Sequence, residues 1–142
     1  MEKYDSLLSF NGFRISHSNI DFNGPIGQNM QFGIDASGEI NKITNTFHLL
    51  LNVEVGDDKN GISIKINANA DFTISGAKID DPDFNNYLFL NSPAILFPYI
   101  RAYISALTSL SGGETITIPP LNISGIKDSL KEHTQIIEQP AL

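Results

Sequence analysis

"NSPAILFPYIRAYISALTSLSGG", residues 91–113, decides how the rest of the chain folds. Arg101 is the one charged side chain between Asp83 and Glu114. Past Pro98 the apolar residues Ile100, Tyr103, Ile104, Leu107 and Leu110 recur at helical spacing, with Ala102, Ala106 and Ser109 as a small-residue flank. Gly112 and Gly113 stop the helix. Its start is less defined. Ser92–Pro93 reads as an N-cap and first helical position, while an interior Pro98 loses a hydrogen bond and crowds the preceding turn. Either a short turn precedes a helix that begins at Pro98, or one helix kinks there. A membrane span needs about 20 mainly apolar residues, and Asn91, Ser92, Ser105, Thr108, Ser109 and Ser111 interrupt this one. A helix with almost no polar face must be covered on several sides. A chain of 142 residues is short for that task, so a second copy is expected to supply the cover.

Working back from the helix, Ile62 to Ile74 alternates strictly between apolar and polar residues, the signature of a strand with one face buried and one wet. Phe47, Leu49, Leu51, Val53 and Val55 repeat the pattern, and "GDDKNG" (56–61) joins the two runs as a hairpin turn. Met30, Phe32, Ile34 and Ala36 mark another strand. In "FRISHSNIDF" the register slips: Phe13 and Ile15 are odd, Ile20 and Phe22 even, which requires a bulge or kink. These runs predict four strands in meander order, about 12–22, 30–40, 44–55 and 61–76. "DDPDFNN" (80–86) breaks the pattern. After the long helix, "ETITIPPLNISG" (114–125) is an extended apolar segment whose double proline bars helix and central strand alike. Ser124 then caps a last helix, "GIKDSLKEHTQII", with Ile126, Leu130 and Ile137 on one face. The expectation is a single domain over 1–142, with 1–11 and 138–142 flexible.

Composition narrows the function. The net charge is −7 and no cluster of Lys and Arg occurs, which argues against nucleic-acid backbones and anionic membranes. Without cysteine there are no disulfides, no thiolate catalysis and no Cys-based metal sites. "MEKYDSLLSF" lacks the pattern of a signal peptide, so a cytoplasmic protein without membrane insertion is expected. His17, His48 and His133 share no ligand spacing, and His48 falls on the polar side of its strand. No phosphate loop, EF-hand or serine elbow is present, so no catalytic residue, metal or cofactor is assigned. The 115–123 segment either lines a groove for extended apolar ligands or caps the buried face of the sheet.

Residues 92–113 resemble the SecB family of export chaperones, through Pro93, Ile95, Leu96, Phe97, Pro98, Tyr99 and Arg101. "FTISG" (72–76), "ITIPPLNI" (116–123) and "FRI…IDFNGP" (13–25) are similar to further parts of that family, so the likeness spans about residues 12–130. The resemblance implies an α+β fold, with a four-stranded antiparallel sheet, a crossover loop and two helices packed on one face, assembled as a dimer of dimers. It implies an ATP-independent holdase for unfolded preproteins that is coupled to SecA. Client-binding residues would be Ile62, Ile116, Ile118, Pro119, Leu121, Ile123, Ile126 and Leu130. The homo-oligomer, a dimer or tetramer, would use Phe13, Ile15, Tyr99, Ile100, Arg101, Tyr103, Ile104, Leu107 and Leu110. Export-type members carry acidic residues where this chain has Asn19, Asn23 and Lys65, and their acidic tail is reduced here to "EHTQIIEQPAL". SecB-like proteins also serve antitoxins, which makes an antitoxin a second candidate client. A different class stays open: a module that binds an apolar ligand or one fixed partner without chaperone activity.

Overall fold

The computed structural model describes residues 7–24, 30–75, 79–112, 114–118 and 124–140. Strand β1 runs Leu8–Phe22, β2 Gln31–Asn41, β3 Thr46–Asp57, β4 Ile62–Ile74 and β5 Thr134–Ile137. Helix α1 spans Pro82–Leu110 and α2 Ser124–Glu132. The expected hairpin forms as β3 and β4, with Val55 opposite Ile64 and Leu51 opposite Ala68. Its turn closes through Gly61 at φ 66, a conformation that favours glycine, while the Asp57 carboxylate accepts from Lys59 N–H and the Asn60 amide. Alternation places Phe47, Leu49, Leu51 and Val53 with Ile64, Ile66, Ala68, Ala70 and Phe72 on one fully buried face.

The strand order is β1-β4-β3-β2-β5, which corrects two expectations. First, the sheet is not a meander throughout: β1 lies antiparallel beside β4, not beside β2. The reason is the length of the 23–30 connection. A tight hairpin needs two to five residues, whereas eight residues reach about 26 Å, enough to span the three strand spacings of about 14 Å between β1 and β2. Asn23 N–H bonds the Gly61 carbonyl at 3.1 Å, so β1 ends against the β3–β4 turn. Second, the sheet has five strands and is mixed. Residues 134–137, expected as the tail of the last helix, form β5 parallel to β2, with Ile136 opposite Ile40. Ile137 is therefore a strand residue and not part of a helical stripe with Ile126 and Leu130.

The register slip in β1 is resolved by two bulges, between Phe10 and Gly12 and between Ile15 and His17. Each shifts the parity once. Leu8 and Phe10, then Phe13 and Ile15, then Ser18, Ile20 and Phe22 all oppose inward residues of β4. Gly12 takes φ 123 at the first bulge, where a side chain would be strained. Residues 8–11, expected to be flexible, belong to this strand.

Helix α1 is longer than the sequence suggested. It begins at Pro82, and the Asp81 carboxylate caps it by accepting from Asp83 N–H at 2.9 Å. "DDPDFNN" is thus a cap, an N1 proline and a first turn. Ser92, expected as the N-cap, is a fully buried residue in mid-helix. Both Pro93 and Pro98 lie inside the helix, so one continuous helix carries both prolines. Phe84, Leu88, Leu96, Phe97, Ile100 and Ile104 face the sheet, and Ile126 and Leu130 of α2 join the same core. At Gly38 a Cβ would stand 2.5 Å from Phe47 Cε1, so the absent side chain leaves room for that ring. No helix of the described residues is long and apolar enough to cross a membrane.

Candidate functional site

Of the residues expected to bind a client, five fall among the described residues. Ile62, Ile116, Ile118, Ile126 and Leu130 are all buried within the chain. Pro119, Leu121 and Ile123 lie outside the described residues, as does the Ser124 side chain. Burial follows from how the extended segment 114–118 is held. It runs back along α1, and three α1 side chains bond its backbone. Arg101 Nε donates to the Ile118 carbonyl at 2.8 Å, and Ser105 Oγ donates to the Ile116 carbonyl at 3.2 Å. Thr108 Oγ1 accepts from Ile116 N–H at 2.9 Å and donates to the Ile104 carbonyl. No strand ladder holds this segment; one face of one helix does, with Ile116 and Ile118 pressed inward.

The residues expected at an oligomer interface divide into three groups. Ile100 and Ile104 are fully buried in the chain's own core. Arg101 is bound to Ile118, and the Tyr103 hydroxyl shares a 2.8 Å hydrogen bond with Ser18 Oγ. Ile15 and Leu107 are half-buried. Phe13, Tyr99 and Leu110 stay 42%, 43% and 87% exposed. Tyr99 stacks on Phe13 with ring centroids 4.4 Å apart, and Phe10 continues the stack inward to Phe72. Sequence reasoning missed Leu90, Pro98, Ala102 and Ala106, which are also exposed along α1. The signal was present in the small-residue flank. Together with β1, an edge strand, they form an apolar surface that none of the described residues covers.

The opposite face of the sheet is polar. Asn19 and Lys65 are direct cross-strand partners there, and Lys65 also faces Glu54. The Asn19 amide bonds Asp21 at 3.1 Å. Asn23 sits at the end of the same strand. His48 Nδ1 pairs with the Asp71 carboxylate at 2.6 Å on this face, a surface contact across β3 and β4. Among the described residues no three His, Asp or Glu side chains converge on a possible metal position.

No family model matches the chain. It is 26% identical over 99 residues to the protein-export protein SecB of Saccharophagus degradans, covering 66% of this chain and 58% of that protein. It is 29% identical over 97 residues to SecB of Hydrogenovibrio crunogenus, covering 66% and 64%. The matched region spans less than two thirds of these relatives' own length. The fold is similar to that of a SecB-like chaperone from Mycobacterium tuberculosis, solved in complex with a ChAD peptide from an antitoxin. That match has a TM-score of 0.65 and 12% identity, and it covers 82% of this chain and 89% of the other. The architecture is thus that of an α+β SecB-like fold, and over about two thirds of its length the chain is similar in sequence to SecB proteins.

Proposed function

We propose that this protein is a non-enzymatic, ATP-independent holdase that binds non-native polypeptides as a homo-oligomer. The observation that carries the reading is the apolar surface left over once a SecB-like fold has formed, with Phe13, Leu90, Tyr99 and Leu110 at 40–87% exposure. Apolar contact is non-directional and accepts many sequences, and an acidic protein keeps such a surface soluble. Self-assembly through β1 and α1 covers part of it. Clients engage the segment after α1, where Pro119, Leu121 and Ile123 adjoin residues 114–118, which side chains of α1 hold rather than a strand ladder. Lifting that segment would expose Ile116 and Ile118 as well.

An antitoxin client is the second reading, and Asn19, Asn23 and Lys65 favour it. They occupy the polar face of the sheet in place of the acidic residues that the export-type resemblance implies. The test combines light scattering of guanidinium-denatured citrate synthase with mass measurement by light scattering on a sizing column. Wild-type protein should suppress aggregation, and the double variant Leu121→Asp/Ile123→Asp should lose that activity at unchanged mass. A wild type that leaves aggregation untouched overturns the holdase reading. Binding of purified SecA then separates export from antitoxin duty.

A further inference from the structure

The geometry points to a docking site for an extended peptide strand on the free edge of β5, with one apolar side chain entering the cavity beside it. This rests on the reading that the protein binds polypeptides and assigns a second place where it does so. Among the described residues β5 is the last strand of the sheet and is paired on one side only. The His133 and Ile137 carbonyls accept from Gly38 and Lys42 N–H at 3.2 and 3.0 Å. Backbone groups alternate in direction along a strand, so the N–H and carbonyl of Ile136 point away from β2. They form the template onto which an extended chain adds by hydrogen bonding.

Beside this edge lies a cavity of ≈ 290 Å³, whose walls include Ile40, Asn85, Phe89, Lys131, Thr134 and Ile136. Ile136 lies on the same face of the sheet as buried Ile40, its register partner, yet is 59% exposed, with none of the described residues covering the sheet beyond it. A strand added to β5 would place every second side chain over Ile136 and Phe89. One polar feature matches a peptide better than a plain hydrocarbon: Asn85 Oδ1 is buried and accepts no hydrogen bond. A buried acceptor without a donor is costly, and an arriving N–H would satisfy it.

The occupant is a peptide and not a second copy of this chain. Four residues of β5 offer a short ladder, far from the roughly 1,000 Å² that a stable protein interface buries. Lys131 lines the cavity itself, and Lys42 at the end of β2 is bound to Asp80 at 2.8 Å with Glu138 near it, so neither sign dominates beside the site. That hydrogen bond, with the Asp80 charge and a further contribution from Glu138, holds the Lys42 ammonium above its ordinary pKa. The chain's net charge of −7 favours a peptide with lysines on either side of an alternating apolar core.

The probe is a fluorescein-labelled Lys-Thr-Val-Leu-Val-Thr-Lys peptide, with a control carrying Pro for the central Leu. Binding is read by anisotropy and by hydrogen exchange at 134–137. Expected results are slower exchange at Ile136 with the peptide but not the control, and at least tenfold weaker binding to Ile136→Asp. Asn85→Leu should weaken binding several-fold while keeping the fold. Equal affinity for wild type and Ile136→Asp, or protection elsewhere only, overturns the site. Protection that grows with protein concentration in the absence of peptide assigns the edge to a second copy and overturns it too. If wild-type protein fails to hold citrate synthase yet still binds the peptide through Ile136, the holdase reading fails and this site stands. If it holds citrate synthase while Ile136→Asp changes nothing, the reverse applies.

Discussion

Arg101 is the one charge in an apolar stretch, and its position explains its presence. A half-buried guanidinium needs acceptors, and the Ile118 carbonyl, left without a strand partner, supplies one at 2.8 Å. Thr108 does the same work for Ile116 N–H from a fully buried position. Replacing Arg101 by Ala leaves that carbonyl short of a donor, and bonds to charged groups contribute about 1.5–3 kcal/mol. The expected result is a loss of about 1–3 kcal/mol in denaturant unfolding and faster hydrogen exchange at 116–118. Thr108→Val keeps the shape but orphans Ile116 N–H, so it should cost about 1–3 kcal/mol. If the segment stays protected in both variants, side chains of α1 do not hold it. Arg101→Lys is expected to fall between, because one ammonium on a flexible stem aligns less well with a single carbonyl than a planar guanidinium does.

At the scale of the element, α1 tolerates two prolines that should break it. Pro98 removes the N–H that the Ala94 carbonyl would accept from, and an interior proline costs about 3 kcal/mol. Pro98 is exposed, so water can satisfy that carbonyl, whereas Pro93 is buried and contributes packing. Pro98→Ala should therefore raise stability by about 1–3 kcal/mol, and Pro93→Ala by less, as measured by urea midpoints. A destabilised Pro98→Ala would show that the helix needs the bend. These prolines also mark where the sequence became hard to read. The β3–β4 hairpin was legible because period-2 alternation acts within each strand, and the slip in β1 was legible as a parity change that two bulges account for. The start of α1 was not, because Asp81-Pro82 and Ser92-Pro93 are equally good caps by chemistry. Only burial of Phe84, Leu88 and Phe89 against the sheet selects the first. The partner of β1 and the existence of β5 depend on long-range pairing, which no local pattern encodes. Ile116 and Ile118 stood out by type as candidate client residues, yet their burial against α1 was invisible without the Arg101, Ser105 and Thr108 bonds.

At the scale of the whole molecule, two forces act on any second copy. A net charge of −7 repels. The α1 surface attracts, since between Asp83 and Glu114 it carries no acidic group, and its exposed residues include Leu90, Tyr99, Ala102, Ala106 and Leu110. Repulsion between exposed charges is screened over about 10 Å at 0.1 M salt, while apolar contact is not weakened by salt. Assembly through α1 should therefore strengthen as ionic strength rises, the reverse of an interface built on ion pairs. Leu110 is 87% exposed at the last residue of the helix, and Ala102 projects from its middle. Surface substitutions at such positions change stability by about 0.5 kcal/mol or less. Ala102→Arg and Leu110→Asp are thus clean probes that leave the fold alone. Wild-type protein should elute as a multiple of 15.6 kDa, with a melting temperature that rises with concentration. Each variant should shift toward the single-chain mass with an unchanged circular dichroism spectrum and a melting temperature independent of concentration. A wild type of single-chain mass at every concentration and salt measured would mean that the exposed stripe serves clients alone, and the assembly through α1 would have to be abandoned.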